Sequence, residues 1–104
     1  VSAGFSRRVG PEEALTALRE FRPARCVAEL PSSPNPPIEV EERADRPQPR
    51  LDRDRGGGMA VTVGRVRACP ILDLRFVVLG HNTVRGAAGQ GVQIAELLVA
   101  QQDP

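Results

Sequence analysis

The chain has 104 residues, 40% of them apolar and 26% charged, the composition of one ordinary soluble domain. Its 14 basic residues, all arginine, are interleaved with 13 acidic ones for a formal charge of +1, a balance that argues against nucleic acid and against an anionic membrane as partners. No run approaches the ~18 apolar residues of a membrane span and no signal peptide is visible. Two distant cysteines and one histidine support neither a disulfide framework nor a metal site, so a reduced, cytoplasmic setting is expected with Cys26 and Cys69 as packed small residues.

In chain order, "VSAGFSRRV" holds Phe5 and Val9 among polar neighbours and reads as a strand entering the domain. "GPEEALTALREF" predicts a helix. Gly10 caps it, Pro11 suits its first position, and Glu12 and Glu13 sit where the helix dipole favours acids. Ala14, Leu15, Leu18 and Phe21 recur at spacings of three and four and define its buried face, and Pro23 stops it. The prolines of "LPSSPNPP" forbid regular structure, after which "IEVEE" predicts a short strand.

"RADRPQPRLDRDRGGG" in isolation has the composition of a linker or a disordered tail. Arg50, Arg53 and Arg55 before three glycines suggest an anion cradle, but Asp45, Asp52 and Asp54 largely neutralise them, so an internally salt-bridged loop is the stronger expectation. "MAVTVGRVR" and "LDLRFVVL" predict an antiparallel hairpin that becomes buried on both faces near Leu79.

The last element is a helix starting near Asn82 or Thr83, either of which can cap it. Val84, Ala87, Ala88, Gly91, Ala95 and Leu98 fall along one stripe, with small residues first. Glycine costs a helix roughly 1 kcal/mol against alanine, so Gly86, Gly89 and Gly91 imply that something approaches closely. "GAAGQG" reverses the dinucleotide fingerprint and lies inside the helix, so it does not match that motif. His81 has no nucleophile pattern to serve and is expected to pack beside the helix start. Asn82 can cap the helix or pair its amide with a carboxamide, and residue chemistry alone leaves both open. The order of elements predicts an α+β class.

"DRPQPRLDRDRGGGMAVTVGRVR" followed by "LDLRFVVLGHNTVRGAAGQGVQIAELL" resembles the C-terminal end of the aspartate-semialdehyde dehydrogenase family, in its archaeal and fungal branch. "LPSSPNPPIEVEE" and "PEEALTALREF" extend the likeness over nearly the whole chain. The resemblance implies a glyceraldehyde-3-phosphate dehydrogenase-like architecture, in which a Rossmann-type NADP domain precedes an α+β catalytic and dimerisation domain. Residues 1–80 would be part of the second domain, with a mixed or antiparallel sheet carrying helices on one face. Residues 81–104 would be a helix packing back on the NADP domain. Asn82, Gly86 and Ala87 would be cofactor-binding, Asn82 lying near the nicotinamide carboxamide and Gly86, Ala87, Ala88 and Gly89 allowing close approach.

The family reaction is the reversible, phosphate-dependent oxidation of aspartate semialdehyde to aspartyl phosphate, in a homodimer, within amino-acid biosynthesis. Its nucleophilic cysteine and catalytic histidine are expected upstream of Val1. Cys26, Cys69 and His81 stand outside those motifs, so no catalytic residue is assigned here, and the 104 residues alone are expected to be inactive. The chain opens on Val1 and its one methionine is Met59, which fits a piece of a longer protein. The alternatives are a fragment of malonyl-CoA reductase on the same scaffold, or a stand-alone noncatalytic dimerisation module.

Overall fold

The computed structural model describes residues 1–102. Four strands form one mixed sheet: β1 (Ser2–Ala3), β2 (Ile38–Glu41), β3 (Val61–Ala68) and β4 (Leu74–Leu79), in the order β1-β4-β3-β2. The predicted hairpin is its centre. β3 and β4 pair antiparallel, with Val63 opposite Val78 and Ala68 opposite Leu74, and the register shifts between Gly64 and Arg67. At that bulge Arg65 takes a left-handed φ of 53°, a conformation in which a side chain with a Cβ is strained. β2 lies parallel to β3, Ile38 beside Val61, as an edge strand.

Helix α1 (Pro11–Glu20) starts as the sequence predicts, with Gly10 extended, Pro11 in the first turn and the amide of Ala14 donating to the Gly10 carbonyl at 3.2 Å. It packs over β2 and β3. Between it and the sheet lies an apolar cavity of about 240 Å³ lined by Phe5, Ala14, Leu18, Val66, Leu74 and Phe76 among others. This side of the sheet is therefore loosely filled. Ala14, Leu15 and Leu18 are half-buried, but Phe21, expected on the buried face, is 49% exposed. The helix has ended at Glu20, and Phe21 at φ −57°, ψ 129° turns off its stripe.

The expected strand over residues 1–9 shrinks to Ser2–Ala3, paired with Arg75 and Leu74 of β4. Beyond it the amide of Phe5 donates to the Asp73 carboxylate at 2.8 Å, so the edge is closed by a side chain rather than a longer ladder. The hairpin end is likewise less covered than expected: Val77 and Leu79 are half-buried and Val78 is exposed. Leu30, Met59, Ala60, Val63 and Leu74 are the buried apolar residues. The Cα radius of gyration is 15.5 Å with extents of 51 × 32 × 18 Å, against about 13 Å for a compact domain of this length. The chain is drawn out rather than compact, and the end beyond the sheet carries the candidate site.

Candidate functional site

The arginine-proline stretch is ordered by charge. A single helical turn, α2 (Arg25–Ala28), precedes the prolines, and another, α3 (Pro49–Asp52), sits within the stretch and delivers Asp52 inward to 1% exposure. Arg46 grips that carboxylate with two donors, Nε at 2.8 Å and Nη2 at 2.5 Å, while the amide of Gln48 donates at 2.7 Å and Arg55 Nη2 stands 2.8 Å away. Arg55 also donates to Glu41 at 2.5 Å, and Glu41 is held in turn by Arg43 at 3.1 Å. The Arg46 hydrogen bonds, assisted by the Gln48 amide and by Arg55, outweigh burial and hold the Asp52 carboxyl far below the ordinary carboxylate range. The Arg55 hydrogen bond and the Arg43 amide lower the Glu41 carboxyl as well. This is the internally salt-bridged loop that the alternating charges predict.

The knot lies against β3 at a residue that must lack a side chain. A Cβ on Gly64 would stand 2.6 Å from the Arg46 carbonyl oxygen and 2.6 Å from Pro47 Cδ. The chain then turns through Arg55–Gly58, where Gly56, Gly57 and Gly58 have φ of 59°, 65° and 86°. Their successors donate inward, Gly58 to the Asp54 carbonyl and Met59 to that of Gly56. The phosphate cradle considered for these glycines is therefore not what they build: Arg55 is committed to Glu41 and Asp52, and two of the amides close a turn. Arg43, Arg50 and Arg53 are exposed, and of these Arg53 lines a cleft of about 290 Å³ with Pro49, Leu79, Gly80, His81, Asn82 and Thr83.

Beyond that cleft a π-helical turn, Val84–Ala88, leads into α4 (Gly89–Gln102). The amides of Gly86 and Ala88 donate five residues back, to His81 at 3.1 Å and Thr83 at 3.0 Å. Neither Asn82 nor Thr83 caps the helix as expected; Thr83 makes no side-chain cap bond, and the amide of Val84 meets His81 Nδ1 at 3.3 Å instead. His81 thus has the structural role beside the helix start that the sequence suggests. Asn82 is exposed at the cleft, its Oδ1 3.6 Å from where a Cβ on Gly86 would stand.

The slim stripe divides in two. Gly89 is close-packed within this chain, because a Cβ there would lie 2.5 Å from Met59 Sδ and 2.6 Å from the Val84 carbonyl oxygen. Gly86, Ala87, Ala88, Gly91 and Ala95 are exposed, as are Val92, Leu98 and Val99. The face of α4 turned inward is polar: Gln93 accepts from Arg85 at 2.5 Å and donates to Ser33 at 2.7 Å, and Glu96 accepts from the amide and hydroxyl of Ser32 at 3.0 and 2.6 Å. Periodicity places the apolar stripe on one side of α4, and most of that side is exposed; at its edge Val92, Ala95 and Val99 line an open groove with Leu30 and Pro31.

Cys26 is exposed rather than packed, and Cys69 is half-buried. Among the described residues no three of His, Cys, Asp and Glu are grouped to hold a metal ion, and no helix is long and apolar enough to cross a membrane. Arg53, Pro49 and Leu79 are members of the cleft that spacing could not unite with Asn82, since the sheet and the charge knot bring them together.

Residues 5–85 match the family model described as semialdehyde dehydrogenase, dimerisation domain. The chain belongs to that family. It is 50% identical over 98 residues to the aspartate-semialdehyde dehydrogenase of Archaeoglobus fulgidus, covering 94% of this chain and 27% of that protein. It is 48% identical to that of Saccharomyces cerevisiae, over 97% of this chain and 28% of the relative. The crystal structure of the Candida albicans aspartate-semialdehyde dehydrogenase with NADP superposes with a TM-score of 0.80 at 46% identity, over 94% of this chain and 28% of that one. That of aspartate-semialdehyde dehydrogenase II from Vibrio cholerae does so at 0.69 and 29% identity, over 96% of this chain and 26% of that one. The chain therefore spans little more than a quarter of the relatives it matches.

Proposed function

We infer that this chain is part of an NADP-dependent aspartate-semialdehyde dehydrogenase that works as a homodimer. Residues 1–80 supply part of its catalytic and dimerisation domain, and the helix beginning at residue 81 lies against the NADP-binding domain. Residues 103 and 104 fall outside the described structure, so the reading of that helix rests on residues 81–102. The parent enzyme interconverts aspartate semialdehyde and aspartyl phosphate, and its nucleophilic cysteine and proton-transferring histidine lie outside these 104 residues.

The observation that carries this reading is the inverted packing of the chain end. The bulk-free residues Gly86, Ala87 and Ala88 and the apolar Val92, Leu98 and Val99 share an outward exposure that one soluble chain has no reason to leave bare. A neighbouring domain fits them. The family model stops at residue 85, before α4 begins, which agrees with that helix serving something other than the dimer contact.

The residues also suit the nicotinamide end of NADP. Asn82 is exposed at the cleft, and the helix amides it might have capped are bonded to His81 and Thr83, which leaves its carboxamide to donate to and accept from a second carboxamide. Gly86 and Ala87 keep the adjoining surface flat. When bound, NADP supplies the hydride acceptor; the work of these residues is to orient it and to exclude bulk.

The test is Asn82→Ala in the full-length enzyme. NADPH affinity is expected to fall roughly tenfold, the worth of one or two lost hydrogen bonds, with thermal stability unchanged because the side chain is exposed. Unaltered affinity and turnover would remove Asn82 from the cofactor site. Assaying the same enzyme with malonyl-CoA decides the substrate, for which no turnover is expected.

A further inference from the structure

Arg53 is the residue whose placement the fold explains and its local partners do not. It follows Asp52 directly, so the buried grip of Arg46, Gln48 and Arg55 on Asp52 fixes where its backbone stands. Burying a carboxylate with two guanidinium groups is a costly way to shape a loop unless the loop must hold something in a defined place. The residue so held out is a third guanidinium, 57% exposed. Its neighbouring carboxylate, Asp54, is 3.8 Å away, 77% exposed and also 3.8 Å from His81 Nε2, a geometry too long and too solvated to satisfy an arginine.

Around that guanidinium the cleft has flat apolar walls from Pro49 and Leu79, no side chain at Gly80, and hydrogen-bonding groups from Asn82 and Thr83. A planar fork of donors beside apolar walls suits a ligand that joins a flat body to a phosphate. We propose that Arg53 is a phosphate-binding residue of the Asn82 cleft, positioned by the Arg46–Asp52–Arg55–Glu41 knot. This rests on the reading of the cleft as part of the cofactor and substrate site. The phosphate comes either from the pyrophosphate of the dinucleotide or from the inorganic phosphate and acyl phosphate that the reaction exchanges.

The experiment uses the full-length enzyme with Arg53→Gln and Arg53→Lys, and measures KM for inorganic phosphate and Kd for NADP separately. Arg53→Gln is expected to weaken one of these roughly tenfold or more, the loss of a charge-assisted bidentate contact. Arg53→Lys, which keeps charge and loses the fork, is expected to fall between. A rise confined to the KM for phosphate assigns the exchanged phosphate; a rise confined to the Kd of NADP assigns the dinucleotide. The melting temperature of both variants is expected to match the parent, which separates a binding role from a structural one. Both constants within twofold of the parent overturn the proposal. If Asn82→Ala still weakens NADPH in that case, the inference about Arg53 fails while the assignment of the cleft stands. An unmodified parent inactive with NADP and aspartate semialdehyde sinks both.

Discussion

Residues 43–58 are dominated by arginine, aspartate, proline and glycine, yet Asp52 and Gly58 are buried and the segment runs directly into the buried Met59 and Ala60. In α4 the relation is reversed: Val92, Ile94, Leu98 and Val99 are exposed and Gln93 is the buried residue. The contrast teaches that burial here follows partner supply rather than hydropathy. Every charge in the knot finds its complement within 14 residues of chain, as Arg55 finds Glu41. The apolar residues of α4 find few: Val92, Ala95 and Val99 meet only Leu30 and Pro31 across an open groove, Ile94 and Leu98 stay exposed, and Ser32 and Ser33 hold the helix by its polar side.

The sharpest way to break this comparison is Asp52→Ala. It leaves Arg46 and Arg55 without their shared carboxylate, and removal of one member of a buried ionic cluster costs about 3–5 kcal/mol. Denaturant unfolding of the full-length protein is expected to show most of that loss, with the amides of residues 46–58 losing hydrogen-exchange protection first. A change below about 0.5 kcal/mol, the range of ordinary surface substitutions, would mean that the loop is held by something other than charge.

Acid provides a graded version of the same test. Asp52 and Glu41 both have carboxyls lowered by their arginine partners. Their contribution is complete above the unfolded-chain values of about 3.9 and 4.3, and is lost as the pH falls below those values toward the folded ones. Stability is therefore expected to be flat with respect to these two groups from neutrality down to about pH 5 and to decline below about pH 4. Asp52→Asn, with one fewer carboxylate to protonate, is expected to decline less steeply. An equal slope in the two proteins would show that Asp52 does not contribute to the acid limb.

The smallest effect tests the other region. Val99 is 66% exposed here. Covered by a neighbouring domain in the full-length enzyme, Val99→Ser is expected to cost about 1.5 kcal/mol, the lower end for burying such a side chain. Thermal unfolding that shifts by less than the scatter between replicate melts would show that the face stays in water.

How much of this was legible depends on the range of the interactions. Pro11, Glu12 and Glu13 announce α1 because the first turn of a helix is decided by residues within it. Alternation in "LDLRFVVL" announces β4 and, with β3, the hairpin. Interleaved charge announced a salt-bridged loop, but not that Arg46 and Arg55 would choose Asp52 over Asp45 or Asp54, since that selection is made by the fold of the loop across Gly64. Periodicity assigns Phe21 and Leu79 to a core, but it reports a shared side and says nothing of whether this chain covers it. The same limit applies to Asn82. Its capping chemistry is local and visible, while His81 taking that task, and Arg53 arriving across the cleft, depend on residues brought together by the sheet.

The clasp between the proline-rich strap and α4 has an implication for how that helix is aimed. Two serines fasten the helix through oxygen atoms that specify direction, while the contact of Gly89 with Met59 specifies depth at its first turn. The terminal rod is thus pinned at one end and steered along its length, so whatever covers its outer side meets it at an angle set by Ser32, Ser33 and Met59.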